Sequence, residues 1–152
     1  MALQLNRTYR FKFYLNANHY IIINGVEGET HPHTWEFTVD ILIDNDEFVQ
    51  FTEYESAINE FLDKYQNQVM NDFPPFDHLV PTLENISEYF ILEIRDLVEK
   101  RNGHLVKMES SETPTRSYII SFEEDEDFRR LSAAKRMEHI DETVDKIVDR
   151  LV

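Results

Sequence analysis

Apolar and polar residues alternate from residue 8 to residue 19. Tyr9, Phe11, Phe13, Leu15 and Ala17 share one parity, and Thr8, Arg10, Lys12, Asn16 and Asn18 the other. A period of two predicts a strand with one buried face. A stricter alternation covers residues 33–44. Trp35, Phe37, Val39, Ile41 and Ile43 oppose Thr34, Glu36, Thr38, Asp40 and Asp44. Between the two stretches lie the turn-formers Asn24-Gly25 and Gly28. The pattern predicts an antiparallel hairpin with a long connecting loop.

The period then becomes helical. Tyr54, Ile58, Phe61, Tyr65 and Val69 recur at helix spacing, after a capping-box pattern at Thr52 and Glu55. Pro74-Pro75 breaks the chain. Pro81-Thr82 opens a second helix with Ile86, Phe90, Ile94 and Leu97 on one face, and Asn102-Gly103 stops it. Shorter strands are predicted near 104–110 and 116–122, then a solvated acidic loop from Glu123 to Asp127. From Leu131 to Leu151 an amphipathic helix aligns Met137, Ile140, Val144, Ile147 and Leu151. That face must pack on its own domain or on a neighbouring subunit. The order ββααββ plus a C-terminal helix is an α+β architecture. Residues 1–125 are the expected domain and 126–152 the added helix.

Composition narrows the class. A chain of 152 residues with 41% hydrophobic residues suffices for one core, and three glycines leave no flexible linker. A net charge of −15 argues against nucleic acid and against an anionic membrane surface. The absence of cysteine excludes disulfides, thiolate metal sites and a thiol nucleophile. The N-terminal residues lack a signal-peptide core, and no apolar run approaches the roughly 18 residues of a membrane span. The expectation is a soluble, cytoplasmic protein.

Candidate chemistry lies in the histidines. His19 continues the apolar parity of the first strand, and His31 and His33 precede Trp35 on the apolar parity of the second. In an antiparallel hairpin the end of one strand lies beside the start of the next. The three imidazoles are therefore expected on one face, at one end. Imidazole suits zinc, and also nickel, iron or copper. Three protein ligands with an open fourth position are the catalytic arrangement for zinc. The alternative at this point is packed or surface histidines without metal.

Three segments carry a family resemblance: Leu15-Asn16-Ala17-Asn18-His19, His31-Pro32-His33-Thr34-Trp35 and Pro81-Thr82-Leu83-Glu84-Asn85. Together with the element order they resemble the 6-pyruvoyltetrahydropterin and 6-carboxytetrahydropterin synthases over about residues 7–122. The resemblance implies a tunnelling fold, with a four-stranded antiparallel sheet and two helices on one face. It implies zinc on His19, His31 and His33, and a pterin pocket at a subunit interface. The implied assembly is a homo-oligomer, a hexamer made as a dimer of trimers. It also implies a glutamate that grips the pterin ring. Glu109 fits that position best, and Glu112, in Glu112-Thr113, is its competitor. Thr82 matches a pocket-lining position and can also be a helix N-cap.

The departures concern acid–base chemistry. The family's cysteine, four residues before the first histidine of His-x-His, is Glu27 here, with Glu29 close by. A branch of the family also carries glutamate there and cleaves the side chain to a hydroxymethyl product. An Asp-His dyad expected near the end of the first helix is replaced by Gln66 and Asn67, which do not titrate. Asp77-His78 lies further on as an alternative pair. Few basic residues, such as Lys107 and Arg116, are near enough to offset a −15 chain for a highly charged substrate. The expectation is a lyase or rearrangement activity on a dihydroneopterin-type pterin with Glu27 as base. The alternative is a diverged, inactive member that binds a pterin-like ligand or a protein partner.

Overall fold

The two alternating stretches pair along their whole length. The structure is a computed structural model, and its described residues are 7–43, 49–123 and 129–130. Strand β1 (Tyr9–His19) runs antiparallel to β4 (His31–Ile43), with Tyr9 opposite Ile41 and His19 opposite His31. Between them a ribbon of two short strands, β2 (Ile22–Ile23) and β3 (Val26–Glu27), replaces the expected open loop. Asn24 and Gly25 turn it with φ of 52° and 76°. Positive φ at both central residues is what a tight two-residue hairpin turn requires. Strands β5 (Gly103–Thr113) and β6 (Arg116–Ser121) complete an antiparallel sheet in the order β1-β4-β5-β6.

Helices α1 (Phe51–Asp63) and α2 (Leu83–Glu99) cover one face of this sheet. The odd-numbered residues Phe13, Leu15, Trp35, Phe37 and Val39 meet Ile58, Phe61, Ile86, Phe90 and Ile94 in one core. Phe90 lies 5.3 Å from Phe37 and 5.1 Å from Phe61, centroid to centroid. Truncating such a ring costs about 3–5 kcal/mol. The opposite face is polar but not uniformly exposed. Asp40, 6% exposed, takes a two-pronged bond from Arg10 at 2.7 and 3.0 Å, and Lys107 stands 3.9 Å away. A buried carboxylate needs such partners.

Helix α1 differs from the expectation at both ends. The capping box at Thr52 does not form, because the helix begins at Phe51 with Gln50 as an N-cap that makes no side-chain bond. Phe51 packs on Tyr9 at 5.3 Å and Phe11 at 6.0 Å, and the helix starts two residues earlier than a Thr52 cap would set it. The same helix stops at Asp63 instead of running to Val69, and Asn67 turns the chain at φ 61°. At the α2 stop, the expected Asn102-Gly103 pair turns the chain, with Asn102 as the left-handed residue (φ 60°). Gly103 is needed for closeness instead: a Cβ there would lie 2.9 Å from the Val98 side chain. The acidic run beyond Glu123 and the expected helix from 131 to 151 lie outside the described residues. Among the described residues no helix is long and apolar enough to cross a membrane.

Candidate metal centre

The register that pairs His19 with His31, and Ala17 with His33, draws three rings together where the apolar stripe ends. One ligand nitrogen from each of His19, His31 and His33 lies within 4.8 Å of the others. The ring centroids are 4.5, 5.0 and 4.8 Å apart. This is the only group of its kind among the described residues.

Hydrogen bonds decide which nitrogens face inward. His19 Nδ1 is 2.8 Å from the Pro81 carbonyl, and His31 Nδ1 is 2.9 Å from the Glu29 carbonyl. A carbonyl oxygen only accepts, so both Nδ1 atoms carry the proton. In the neutral rings both Nε2 atoms then present lone pairs. Yet these two Nε2 atoms face each other at 2.9 Å. Two lone pairs at that distance repel unless a cation lies between or beside them. Burial, reinforced by the other two imidazoles, pushes His19 down to about 4, so a second proton on that ring is disfavoured near neutral pH. A metal ion fits the donor set instead. A tetrahedral ion with nitrogens at about 2.0–2.1 Å would need them roughly 3.3 Å apart, slightly wider than the 2.9 Å of His19 and His31 and inside the 4.8 Å spread of the three. Carbonyls on the remote Nδ1 atoms are the usual means of fixing ligand tautomers.

Distant segments hold these rings in place. Trp35, fully buried, meets His19 edge-on at 5.0 Å and His33 at 5.2 Å. Asn71 pins the residue after His19: its Oδ1 accepts from Tyr20 N and its Nδ2 donates to Tyr20 O, both at 3.0 Å. Pro81 reaches His19 from the segment before α2. Sequence reasoning missed Asn71 and Pro81 as supports. Their contacts join residues 51 and 62 positions apart, so no local pattern announces them. Trp35 carried a signal, since it shares parity with the two histidines before it.

The other candidate residues are distributed unevenly. Glu27 is exposed on β3, opposite Ile22. Glu29 is exposed and contributes its carbonyl. Glu109 stands apart from the histidines. It pairs with Thr38, on the polar face away from the histidines, 3.8 Å from Lys107. The period of two that fixes the histidines on one face sends Glu109 to the other. The β4–β5 pairing ends with Phe37 opposite Ser110 and Glu36 opposite Ser111. Glu112 Oε2 and Trp35 Nε1 are both buried without a hydrogen-bond partner. Thr82 is an N-cap of α2, its Oγ1 accepting from Asn85 N at 3.1 Å. Asp77 and His78 do not join the histidine group, and His78 Nδ1 bonds the adjacent Asp77 carbonyl. Gln66 lies along β1, accepting from Asn16 N and donating to Tyr14 O. Asn67 donates its N–H to Asn16 O at 2.7 Å. Both therefore serve as a partner for the strand's outer edge. Lys107 is committed to Asp40 and Glu109, and Arg116 is exposed at the start of β6.

An antiparallel four-stranded sheet under two helices, with three convergent imidazoles at one end, defines a tunnelling-fold protein able to hold a metal ion. The chain belongs to the 6-pyruvoyl tetrahydropterin synthase family, whose model matches residues 8–123. Among solved structures it is similar to the 6-pyruvoyl tetrahydropterin synthase of Caenorhabditis elegans, at TM-score 0.65 and 16% identity, over 76% of this chain and 94% of that one. The Plasmodium falciparum enzyme of the same name gives 0.54 and 15%, over 76% and 98%. A Plasmodium vivax form, in which a glutamate described as a catalytic residue is replaced by alanine, gives 0.54 and 14%, over 75% and 97%. These likenesses show the fold. No curated protein matches the sequence.

Proposed function

We propose that this protein is a zinc-dependent lyase of the pterin-synthase type, acting on the side chain of a dihydroneopterin-type pterin. The observation that carries the reading is the convergence of His19 Nε2 and His31 Nε2, 2.9 Å apart, with His33 alongside. Zinc held there would act as a Lewis acid toward side-chain oxygens and acidify the neighbouring C–H. Glu27 would take or return the proton. A carboxylate can do this where a thiol is missing, provided it comes within hydrogen-bond reach of the substrate. The Plasmodium vivax relative, with its catalytic glutamate, supports that assignment. Glu112 is preferred to Glu109 as the residue gripping the pterin ring. It has a buried oxygen without a partner, and a carboxylate can accept two N–H donors from the ring edge. Thr82 contributes by capping α2, the helix that follows Pro81. Asp77 and His78 have no part in this reading. The protein would work as a homo-oligomer in the cytoplasm.

The test is turnover of dihydroneopterin and of its triphosphate by zinc-loaded protein. Product formation that falls at least about 100-fold in Glu27→Ala is expected for a lost acid–base group. No turnover of either substrate would overturn the reading. One observation favours a second reading, a ligand-binding member without catalysis. Gln66 and Asn67, where a titrating dyad was expected, are tied into the edge of β1. Pterin binding without product would support that reading.

A further inference from the structure

We propose that the segment from Arg129 to Leu151 docks as a helix in the outer groove between α1 and α2 of its own chain. The segment lies beyond the family match, which ends at residue 123. Its sequence defines the face to be buried. Met137, Ile140, Val144, Ile147 and Leu151 recur at helix spacing, and Ala133 and Arg129 continue the row backward. A helix with one apolar stripe buries it. Arg130 and Arg136 flank that row, and from Phe128 to Met137 the chain has four basic residues and no acidic one.

The groove is matched in charge. Helices α1 and α2 together carry nine carboxylates and one guanidinium, that of Arg95. Ala57, Phe61 and Leu97 give the groove an apolar lining, and Glu60 and Glu93 are exposed on its two rims. The cations already beside it are occupied. Lys64 lies over the Phe61 ring at 5.3 Å, and Arg101 donates to the Leu97 carbonyl at 2.8 Å. Asp96 and Glu99 have partners in Lys100 and Arg95. Glu60 and Glu93 are in no ion pair among the described residues.

The chain also arrives at this layer. At the end of β6 the Arg95 guanidinium lies over the Phe122 ring at 4.4 Å, and Tyr118 donates to Glu88 at 3.2 Å. Arg129 Nε donates to the Glu123 carbonyl at 3.2 Å, so the segment starts on the flank of α2. Leu92, 61% exposed, lies one turn from Arg95 on that helix. A helix from 131 to 151 is about 31 Å long, against roughly 25 Å for α2, which is enough to cover the groove.

Charge and tethering select the occupant. An anionic partner is repelled here, and a second copy would present the same acidic helices. A cationic segment of another protein meets a tethered competitor, whose effective concentration on a short linker is on the order of millimolar. Single surface ion pairs are weak and screened by salt, so the apolar row supplies most of the hold and the arginines set where it lies. The contact stands apart from the metal centre and from the proposed reaction.

The chain has no cysteine, so an introduced pair reports the contact cleanly. The full chain carrying Ser56→Cys, exposed one turn before Glu60, and Ala133→Cys is treated with a short bis-maleimide. A link within one chain is expected as the main product, at least about 10-fold above the pair Tyr14→Cys, Ala133→Cys. Tyr14 is 53% exposed on the far face of the sheet, and labelling by a monofunctional maleimide corrects for access. Glu60→Lys with Glu93→Lys is expected to lower the link at least about 5-fold, and adding Arg130→Glu with Arg136→Glu should restore it. Metal content should stay unchanged throughout, which shows that the variants fold. A link no stronger than that of the Tyr14 pair would overturn the proposal. So would a link formed mainly between two chains, because the segment would then lie on a neighbour. Charge reversal without effect, or a loss that the second reversal does not restore, would overturn it as well.

Discussion

Two polar clusters are built on the same β1–β4 hairpin, on opposite faces. On the polar face Asp40 is buried, but Arg10 bonds both its oxygens and Lys107 stands by. On the helix face His19 is equally buried, yet the nitrogen it turns inward faces another nitrogen at 2.9 Å. The first cluster is complete within the chain. The second turns its donors toward one another and is not satisfied by any protein group among the described residues. A buried polar network whose members satisfy one another serves the fold, and one left short of a partner marks a place for a ligand.

The largest expected effect falls on the incomplete cluster. Replacing His31 and His33 together by alanine should lower bound metal from about one ion per chain to near zero, read by elemental analysis of untagged protein. Retained metal in that variant would erase the contrast. Asp40→Ala should do the reverse. It should cost about 1–3 kcal/mol in denaturant unfolding, less than a fully buried pair because Arg10 is half exposed, and leave metal content intact. Asn71→Ala sharpens the comparison by loosening a support without touching a ligand. It should weaken metal affinity about 10-fold and cost roughly 1–2 kcal/mol. The smallest effect is expected for Thr82→Ala, which removes a helix cap worth about 1 kcal/mol and should leave metal affinity nearly unchanged.

The contrast also explains what could be read in advance. Strand parity alone put His19, His31 and His33 on one face, because in a paired hairpin that property is local to each strand. That Glu109 shares the face of Thr38 follows from the same parity, but only once the β4–β5 register is known. Register is set by the whole sheet and leaves no mark within a single strand. Asn24-Gly25 announced a turn, but not the ribbon's two extra strands. They are two residues each, too short for any period to show. The Thr52 capping box looked sound locally and lost to the packing of Phe51 on Tyr9 and Phe11. Gln66 and Asn67 were legible as non-titrating, while their use along the edge of β1 was not, since it joins residues about 50 apart.

The central claim is that the three histidines hold one metal ion, and Trp35 reports on it directly. It is the only tryptophan in the chain, and its ring lies 5.0 Å from His19 and 5.2 Å from His33. Titrating metal-free, untagged protein with cobalt(II) should quench its emission to an end point of about one equivalent, and zinc should reverse the quenching. Emission that is unmoved by cobalt, or quenched equally in the His31→Ala, His33→Ala variant, would contradict the account.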